Sequence, residues 1–177
     1  MYNALRSSFR RPELKVASVA LLFLPLAHSS NAATTTSTFT VQMTLTSSCV
    51  INSASTLNFG SQGVLVANVD NASTLQVQCT STTPYNIGLD AGLGTGATVA
   101  VRKMTNGAST INYSLYRDSG RTTVWGNTVG TNTVGTNTVA GTGNGASQSY
   151  TIYGQVPPQN TPTPAVYTDT VTVTVTY

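Results

Sequence analysis

Residues 171–177 read Val-Thr-Val-Thr-Val-Thr-Tyr, with an apolar residue at every second position. Successive side chains of a β-strand point to opposite faces of a sheet, so this alternation predicts a strand with one apolar and one polar face. Threonine, valine and tyrosine also favour the pleated surface of a sheet. Because the apolar face runs as far as Tyr177 without a polar tail, we expect another strand to lie beside it.

The same alternation recurs through most of the chain after residue 37. Residues 39–45, 75–80 and 111–116 each show it, and turn-forming pairs such as Asn106-Gly107 and Pro157-Pro158 occur between such stretches. Residues that favour helix are scarce. Many short alternating strands joined by close turns indicate an all-β domain, either a sandwich or a barrel, with almost no helix.

The first 32 residues have the three-part pattern of a secretory signal peptide. A basic leader carries four of the chain's eight Lys and Arg residues, an apolar run covers residues 16–26, and Ser30-Asn31-Ala32 offers a cleavage site. The apolar run is too short to cross a bilayer as a helix, which takes about 20 residues. We therefore expect residues 1–32 to be removed on export, leaving a protein that is not embedded in a membrane.

The charged residues beyond position 32 exclude several classes of function. Four basic and four acidic residues remain there, so the formal net charge is zero, and the chain's one histidine and one glutamate lie in the leader. No basic surface for nucleic acid is predicted. Without imidazole, and with few general acids or bases, metal binding and catalysis are disfavoured. We predict a protein that is not an enzyme, with no catalytic residues, no metal and no cofactor.

Cys49 and Cys79 are the two cysteines of the chain. In an exported protein the default interpretation is a disulfide, because the compartment is oxidising. Closing a loop of about 30 residues would stabilise the fold by roughly 3–4 kcal/mol. A metal pair or a reactive thiol is the alternative, but no histidine or basic residue flanks either cysteine.

The alternating segment before Cys49 has two interpretations. Residues 33–46 begin with polar residues and continue into a strand, which either pairs within its own sheet or fills a groove in another molecule. The second is donor-strand complementation, in which an added strand supplies backbone hydrogen bonds and core side chains. The bare strand at residues 171–177 favours this second interpretation. The donor side chains would be Phe39, Val41, Met43 and Leu45, and the groove would be lined by Val171, Val173, Val175 and Tyr177.

Residues 126–145 depart from the pattern because Asn-Thr-Val recurs there at five-residue spacing. An odd period turns successive valines to opposite faces, so a single amphipathic strand is not predicted. We interpret the segment as an extended hairpin or surface loop lengthened by duplication, with a display loop on a fibre as the alternative. The aromatic residues Tyr116, Trp125 and Tyr153 fit core or sheet packing better than a sugar-binding surface.

Four stretches of sequence, in order along the chain, form a recognisable set. They are Phe39-Thr-Val-Gln-Met-Thr-Leu45 leading into Cys49; Leu57-Asn58-Phe59-Gly60; Tyr113-Ser-Leu-Tyr-Arg-Asp118 with Arg121-Thr and Trp125-Gly126; and Ile152-Tyr153-Gly154 through Tyr167-Thr-Asp169 to the terminal strand. Together they resemble the spore coat protein U domain family, which comprises subunits of archaic chaperone-usher pili and related surface coats. The resemblance implies an incomplete immunoglobulin-like β-sandwich at residues 47–177, lacking its last strand.

The resemblance also implies the partners. A periplasmic chaperone would fill the gap temporarily and contact the carboxylate of Tyr177. An outer-membrane usher would then exchange the chaperone strand for residues 33–46 of the next subunit. We therefore expect a structural subunit that is exported through the periplasm to the cell surface. There it would polymerise with copies of itself or homologous pilus subunits and support adhesion or biofilm formation.

Two other functions remain open. A spore or cyst coat protein assembled by similar machinery would use the same contact between copies. A monomeric carbohydrate-binding module would instead keep its N-terminal strand within its own sheet. The pairing of residues 33–46 therefore separates the module from the two assemblies.

Overall fold

The computed structural model describes residues 31–128 and 137–177 of the chain. It divides into two units, Met1–Gln42 and Met43–Tyr177. The expected signal peptide lies outside the described residues except for its last two positions, and so does the middle of the repeat, residues 129–136. In the first unit, the described residues 31–42 are exposed and form no helix or strand.

The second unit is built from strands, and its described residues contain no helix. All of the strand pairings are antiparallel. The predicted all-β fold class is therefore confirmed. The strands are β1 (Cys49–Ala54), β2 (Val69–Cys79), β3 (Pro84–Leu89), β4 (Arg102–Asn106), β5 (Ser109–Tyr116), β6 (Val139–Thr142), β7 (Ser147–Val156) and β8 (Val173–Thr176).

These strands form two sheets. The large sheet has the order β1-β2-β7-β5-β4, and the small sheet has the order β6-β3-β8. The long β2–β7 ladder lies at the centre of the large sheet. At one edge of that sheet, β4 forms an isolated antiparallel bridge with the C-terminal segment, between Thr105 and Thr168. The chain then continues into β8, an edge strand of the small sheet.

The core is filled by alternate residues of the strands, as the period-two pattern predicts. In β2, Leu75, Val77 and Cys79 are buried, and the glutamines between them are more exposed. Trp125 is also buried, and its indole N–H donates a hydrogen bond to the carbonyl of Ile87 at 2.9 Å. Core packing is therefore the correct interpretation of Trp125.

The predicted disulfide joins Cys49 to Cys79, with an S–S distance of 2.03 Å. The two cysteines are register partners in the β1–β2 ladder. One residue further out, the N–H of Thr80 donates to the carbonyl of Ser48 at 2.9 Å. The disulfide therefore ties the edge strand β1 to its neighbour where the N-terminal segment joins the sandwich.

Both described ends of the repeat belong to the fold. The Asn137 carbonyl accepts a hydrogen bond from the Gly126 N–H, and the Asn137 side-chain oxygen accepts one from the Thr128 N–H, each at 2.8 Å. Thr138 is buried, and the next residue, Val139, begins β6. A surface loop is therefore the wrong interpretation for residues 137–142, because these residues complete the small sheet.

Candidate strand-accepting groove

Strand β8 has one paired edge and one free edge. On its paired side it forms a ladder with residues 86–89 of β3. On its other side, no strand of the described chain pairs with it. Val171, Val173 and Val175 pack against the core but are only partly buried, whereas the threonines between them are exposed. β8 therefore offers unpaired backbone groups beside an incompletely covered apolar face.

Strand β1 is incompletely covered as well. Ile51 pairs with Val77, and Ala54 pairs with Leu75, and both partners are fully buried. Opposed residues of antiparallel strands lie on the same face of the sheet, so Ile51 and Ala54 face the core. Even so, Ile51 is 42% exposed and Ala54 is exposed. These core-facing positions are therefore open to solvent.

β1 and β8 are edge strands of the two sheets and contact each other, so their two uncovered faces are neighbours. We call the surface formed by these two faces the edge groove. Ile51 and Ala54 lie on its β1 side, and the three valines predicted to line a groove lie on its β8 side. Tyr177, the fourth predicted residue, directly follows β8 and is 60% exposed.

A cavity of about 550 Å³ opens between residues 56–63 and residues 161–168 of the same unit. Leu57 and Phe59 can lie over the large sheet there because Gly154 of β7 has no side chain. A Cβ at position 154 would come within 2.7 Å of Leu57 and 2.9 Å of Phe59. The remaining lining is largely apolar and includes Leu65, Val69, Met104, Ile111 and Val156.

The predicted donor residues carry large apolar side chains that are exposed. Phe39, Val41, Met43 and Leu45 are 87%, 84%, 83% and 83% exposed, respectively. No strand forms among the described residues 31–48. The structure thus shows no pairing of this segment within a sheet of its own chain, which the binding-module interpretation requires.

One buried charge was not anticipated from the sequence. Arg102 of β4 is 0% exposed. Burial lowers the pKa of Arg102, and the carboxylates of Asp90 and Asp169 oppose that shift. In the sequence, Arg102 directly follows Val99-Ala100-Val101, and a solvent-exposed arginine could occupy that position equally well. The guanidinium donates hydrogen bonds of 2.7–3.0 Å to four backbone carbonyls, those of Leu89, Asp90, Val99 and Trp125.

The described part of the chain contains neither a candidate metal site nor a candidate membrane-spanning helix. No group of three or more His, Cys, Asp and Glu residues there is placed to hold a metal ion. No helix among these residues has the length and apolar character needed to span a membrane. The edge groove is bordered by apolar side chains and free backbone groups, which are the groups that bind an extended strand.

Comparison with known proteins identifies a family and a relative in sequence. A family profile, the Spore Coat Protein U domain, matches residues 35–174. Protein U of Myxococcus xanthus is 37% identical over 164 residues, which are 84% of this chain and 88% of that protein.

A solved structure shares the fold at lower sequence identity. It is a chain of the CsuC-CsuE chaperone-tip adhesion subunit pre-assembly complex from archaic chaperone-usher Csu pili of Acinetobacter baumannii, with a TM-score of 0.53 and 22% identity. The similarity covers 76% of this chain and 40% of that one, so this chain spans less than half of its structural relative. Because the family profile covers nearly the whole chain, and a relative more than one-third identical covers most of it, the chain belongs to the Spore Coat Protein U domain family.

Proposed function

We propose that this chain is a structural subunit of a surface fibre and that its copies join by donor-strand complementation. In each contact, Phe39, Val41, Met43 and Leu45 of one copy insert into the edge groove of another. One observation carries the proposal: β8, which has a free edge, and an exposed alternating segment occur in the same chain. Among the described residues, β8 lacks a partner at its free edge, and the exposed segment lacks a strand to pair with.

The chemistry of the two surfaces matches. A strand laid along the free edge of β8 gains main-chain hydrogen bonds and places every second side chain over the core. Full burial of one large apolar side chain contributes roughly 1.5–3 kcal/mol, so four contribute about 6–12 kcal/mol before ordering costs. Each 1.4 kcal/mol or so that remains lowers the dissociation constant tenfold. This gross gain is large enough to support a long-lived contact.

A periplasmic chaperone would occupy the same groove before assembly. The structural relative comes from a complex of a chaperone with a tip adhesion subunit, which supports this step. The exposed Tyr177 would present its carboxylate to the chaperone. After export directed by residues 1–32, an outer-membrane usher would exchange the chaperone strand for residues 33–46 of the next subunit. Adhesion and biofilm formation are the roles we propose for the resulting fibre at the cell surface.

A spore or cyst coat is the second candidate, and the match to the Spore Coat Protein U domain favours it. The contact between copies would be the same, but the product would be a layer around a resting cell. Electron microscopy of cells with and without the gene, during growth and during sporulation, separates the two. Filaments that disappear with the gene indicate a fibre, and loss of a layer from resting cells indicates a coat.

The proposed contact is tested with the full chain carrying Val41→Asp and Met43→Asp, which we call the donor-blocked chain. It should be exported and remain monomeric, because a carboxylate in an apolar groove loses its hydration without gaining a partner. The wild-type chain should form head-to-tail multimers in size-exclusion chromatography.

A synthetic peptide of residues 38–46 should bind the donor-blocked chain and raise its melting temperature. The same peptide with both aspartates is the control and should have no effect. A wild-type chain that stays monomeric, together with no stabilisation at high peptide concentration, would show that the proposal is wrong.

A further inference from the structure

The start of β8 is held by a polar cluster of Asp90, Arg102, Tyr113 and Asp169, which we call the β8 anchor. The Asp169 carboxylate accepts hydrogen bonds from the Tyr113 hydroxyl at 2.7 Å and from the Leu93 N–H at 2.8 Å. Burial, together with the bond to Asp169, raises the pKa of Tyr113, so its hydroxyl keeps its proton. Because Tyr113 belongs to β5, this bond ties the approach to β8 to the large sheet.

Asp90 extends the anchor into the β3–β8 ladder. Beyond the last pair, Leu89 with Val173, the Asp90 N–H donates to the Thr172 carbonyl at 3.1 Å. In a regular antiparallel pair, the Asp90 carbonyl would accept the return bond from Thr172. Here the Asp90 carbonyl accepts the Nε–H of Arg102 at 2.7 Å, and the Thr172 N–H donates to the Asp90 carboxylate at 2.9 Å. The buried guanidinium therefore replaces a backbone donor at the end of the β3–β8 ladder.

The surroundings of Asp90 favour its ionised form. Burial alone would raise the pKa of Asp90, but hydrogen bonds from Thr172 and Gly92 and the charge of Arg102 outweigh it, and the pKa lies below its ordinary value. Gly92 has a φ of +78°, and a Cβ there would lie 2.1 Å from the Asp169 carboxylate. Only glycine allows this close approach without strain. The start of β8 is thus fixed by several independent contacts.

From this geometry we infer that the β8 anchor positions β8 as a template for an incoming strand, an inference that rests on the proposed function. β8 is a four-residue strand with one paired edge, and such elements open locally at low cost. An incoming strand can form its hydrogen bonds only with an extended β8. Any disorder of β8 must therefore be removed on binding, which weakens the complex. The anchor orders β8 before the strand arrives.

The test uses the donor-blocked chain and the peptide of residues 38–46. Tyr113→Phe removes one hydroxyl from the anchor, and Asp169→Asn removes its charge at nearly constant shape. The matched control is Tyr85→Phe, which removes a buried tyrosine hydroxyl that lies 2.6 Å from the Tyr150 hydroxyl, outside the anchor. Peptide affinity is measured by calorimetry, and the order of β8 is measured by amide hydrogen exchange.

Both anchor variants should weaken peptide binding about tenfold or more, because Tyr113→Phe removes the donor of a hydrogen bond to a carboxylate and Asp169→Asn removes the negative charge that strengthens that bond. They should also speed amide exchange in β8. Tyr85→Phe should leave the affinity within about twofold, even where it lowers the melting temperature as much, because the hydroxyl that it removes bonds Gln148 and Tyr150 of β7 and not the start of β8. An equal affinity loss in Tyr85→Phe, or unchanged affinity in both anchor variants, would overturn the inference.

The two proposals fail in different ways. If the donor-blocked chain itself does not bind the peptide, the proposed function is wrong. Amide exchange then still decides whether the anchor orders β8, since unchanged β8 exchange in both anchor variants would show that it does not. If the parent chain binds the peptide and the anchor variants bind it equally well, only the inference is wrong.

Discussion

An alanine scan of the peptide of residues 38–46 should show an affinity pattern with a period of two. In the proposed complex, the side chains at positions 39, 41, 43 and 45 enter the edge groove, and those at positions 40, 42 and 44 point to solvent. Truncating an inward side chain removes its burial, whereas truncating an outward one removes little. The dissociation constant should therefore alternate between large and small changes along the peptide.

The size of the effect follows from the exposure of the free segment. The four inward side chains are 83–87% exposed, so nearly all of their area is available for burial. Truncation to alanine should cost about 1–2.5 kcal/mol at each inward position, which is about a 5- to 60-fold rise in the dissociation constant. Alanine at Thr40, Gln42 or Thr44 should change it less than about threefold, since these side chains stay in water.

Calorimetric titration of the donor-blocked chain with the seven alanine peptides measures this pattern. The groove provides the complementary control. Val175→Ala in β8 should weaken binding of the unmodified peptide, whereas Thr174→Ala, on the exposed face, should not. Equal losses at all seven peptide positions, or losses confined to positions 40, 42 and 44, would refute the proposed register of inward and outward side chains.

Three further predictions concern stability. Replacing Cys49 and Cys79 by serine should lower the free energy of unfolding by about 3–4 kcal/mol in urea titrations, because the closed loop restrains the unfolded chain. Hydrogen bonds led by the Thr122 N–H lower the pKa of Asp118 to about 2. This is below the unfolded value of about 3.9, so the Asp118 contribution is present above about pH 4 and is lost as the pH falls through about 2. Melting temperatures of wild type and Asp118→Asn should therefore differ at pH 7 and converge near pH 2. Asn137→Ala should destabilise by about 0.5–1.5 kcal/mol in the same urea assay, because it removes one side-chain acceptor.

Local pattern was enough to predict part of the core. The alternation in residues 75–80 identified Leu75, Val77 and Cys79 as core-facing, because period two directly encodes which face a side chain occupies. The disulfide could also be predicted from the sequence, because an exported chain with only two cysteines has only one possible pair. These predictions needed no knowledge of which strands are neighbours.

Predictions that depend on contacts distant in sequence were less complete. The carbonyls that bind Arg102 come from residues 89, 90, 99 and 125, and nothing in the local sequence brings them together. The strand predicted at residues 171–177 begins only at Val173, because the Thr172 N–H bonds the side chain of Asp90 instead of a backbone carbonyl. Residues 126–145 were interpreted as an extended hairpin or surface loop because the five-residue repeat gives no sign that residues 139–142 pair with β3.

The edges of the sandwich are protected very differently, and the difference bears on function. Soluble proteins usually shield edge strands with charged residues, proline, bulges or covering segments. β4 follows that rule, since it carries Lys103 and is covered at Thr105 by the bridge to Thr168.

β8 contains no charged residue and no proline, and the alternating segment 39–45 contains none either. The edge strands β1 and β6 also contain neither a charged residue nor a proline. A bare edge invites association with any available strand, and in every copy residues 39–45 carry a matching alternation of exposed apolar side chains. Assembly through β8 requires an unprotected edge there, because a charge placed there to prevent aggregation would also prevent the pairing.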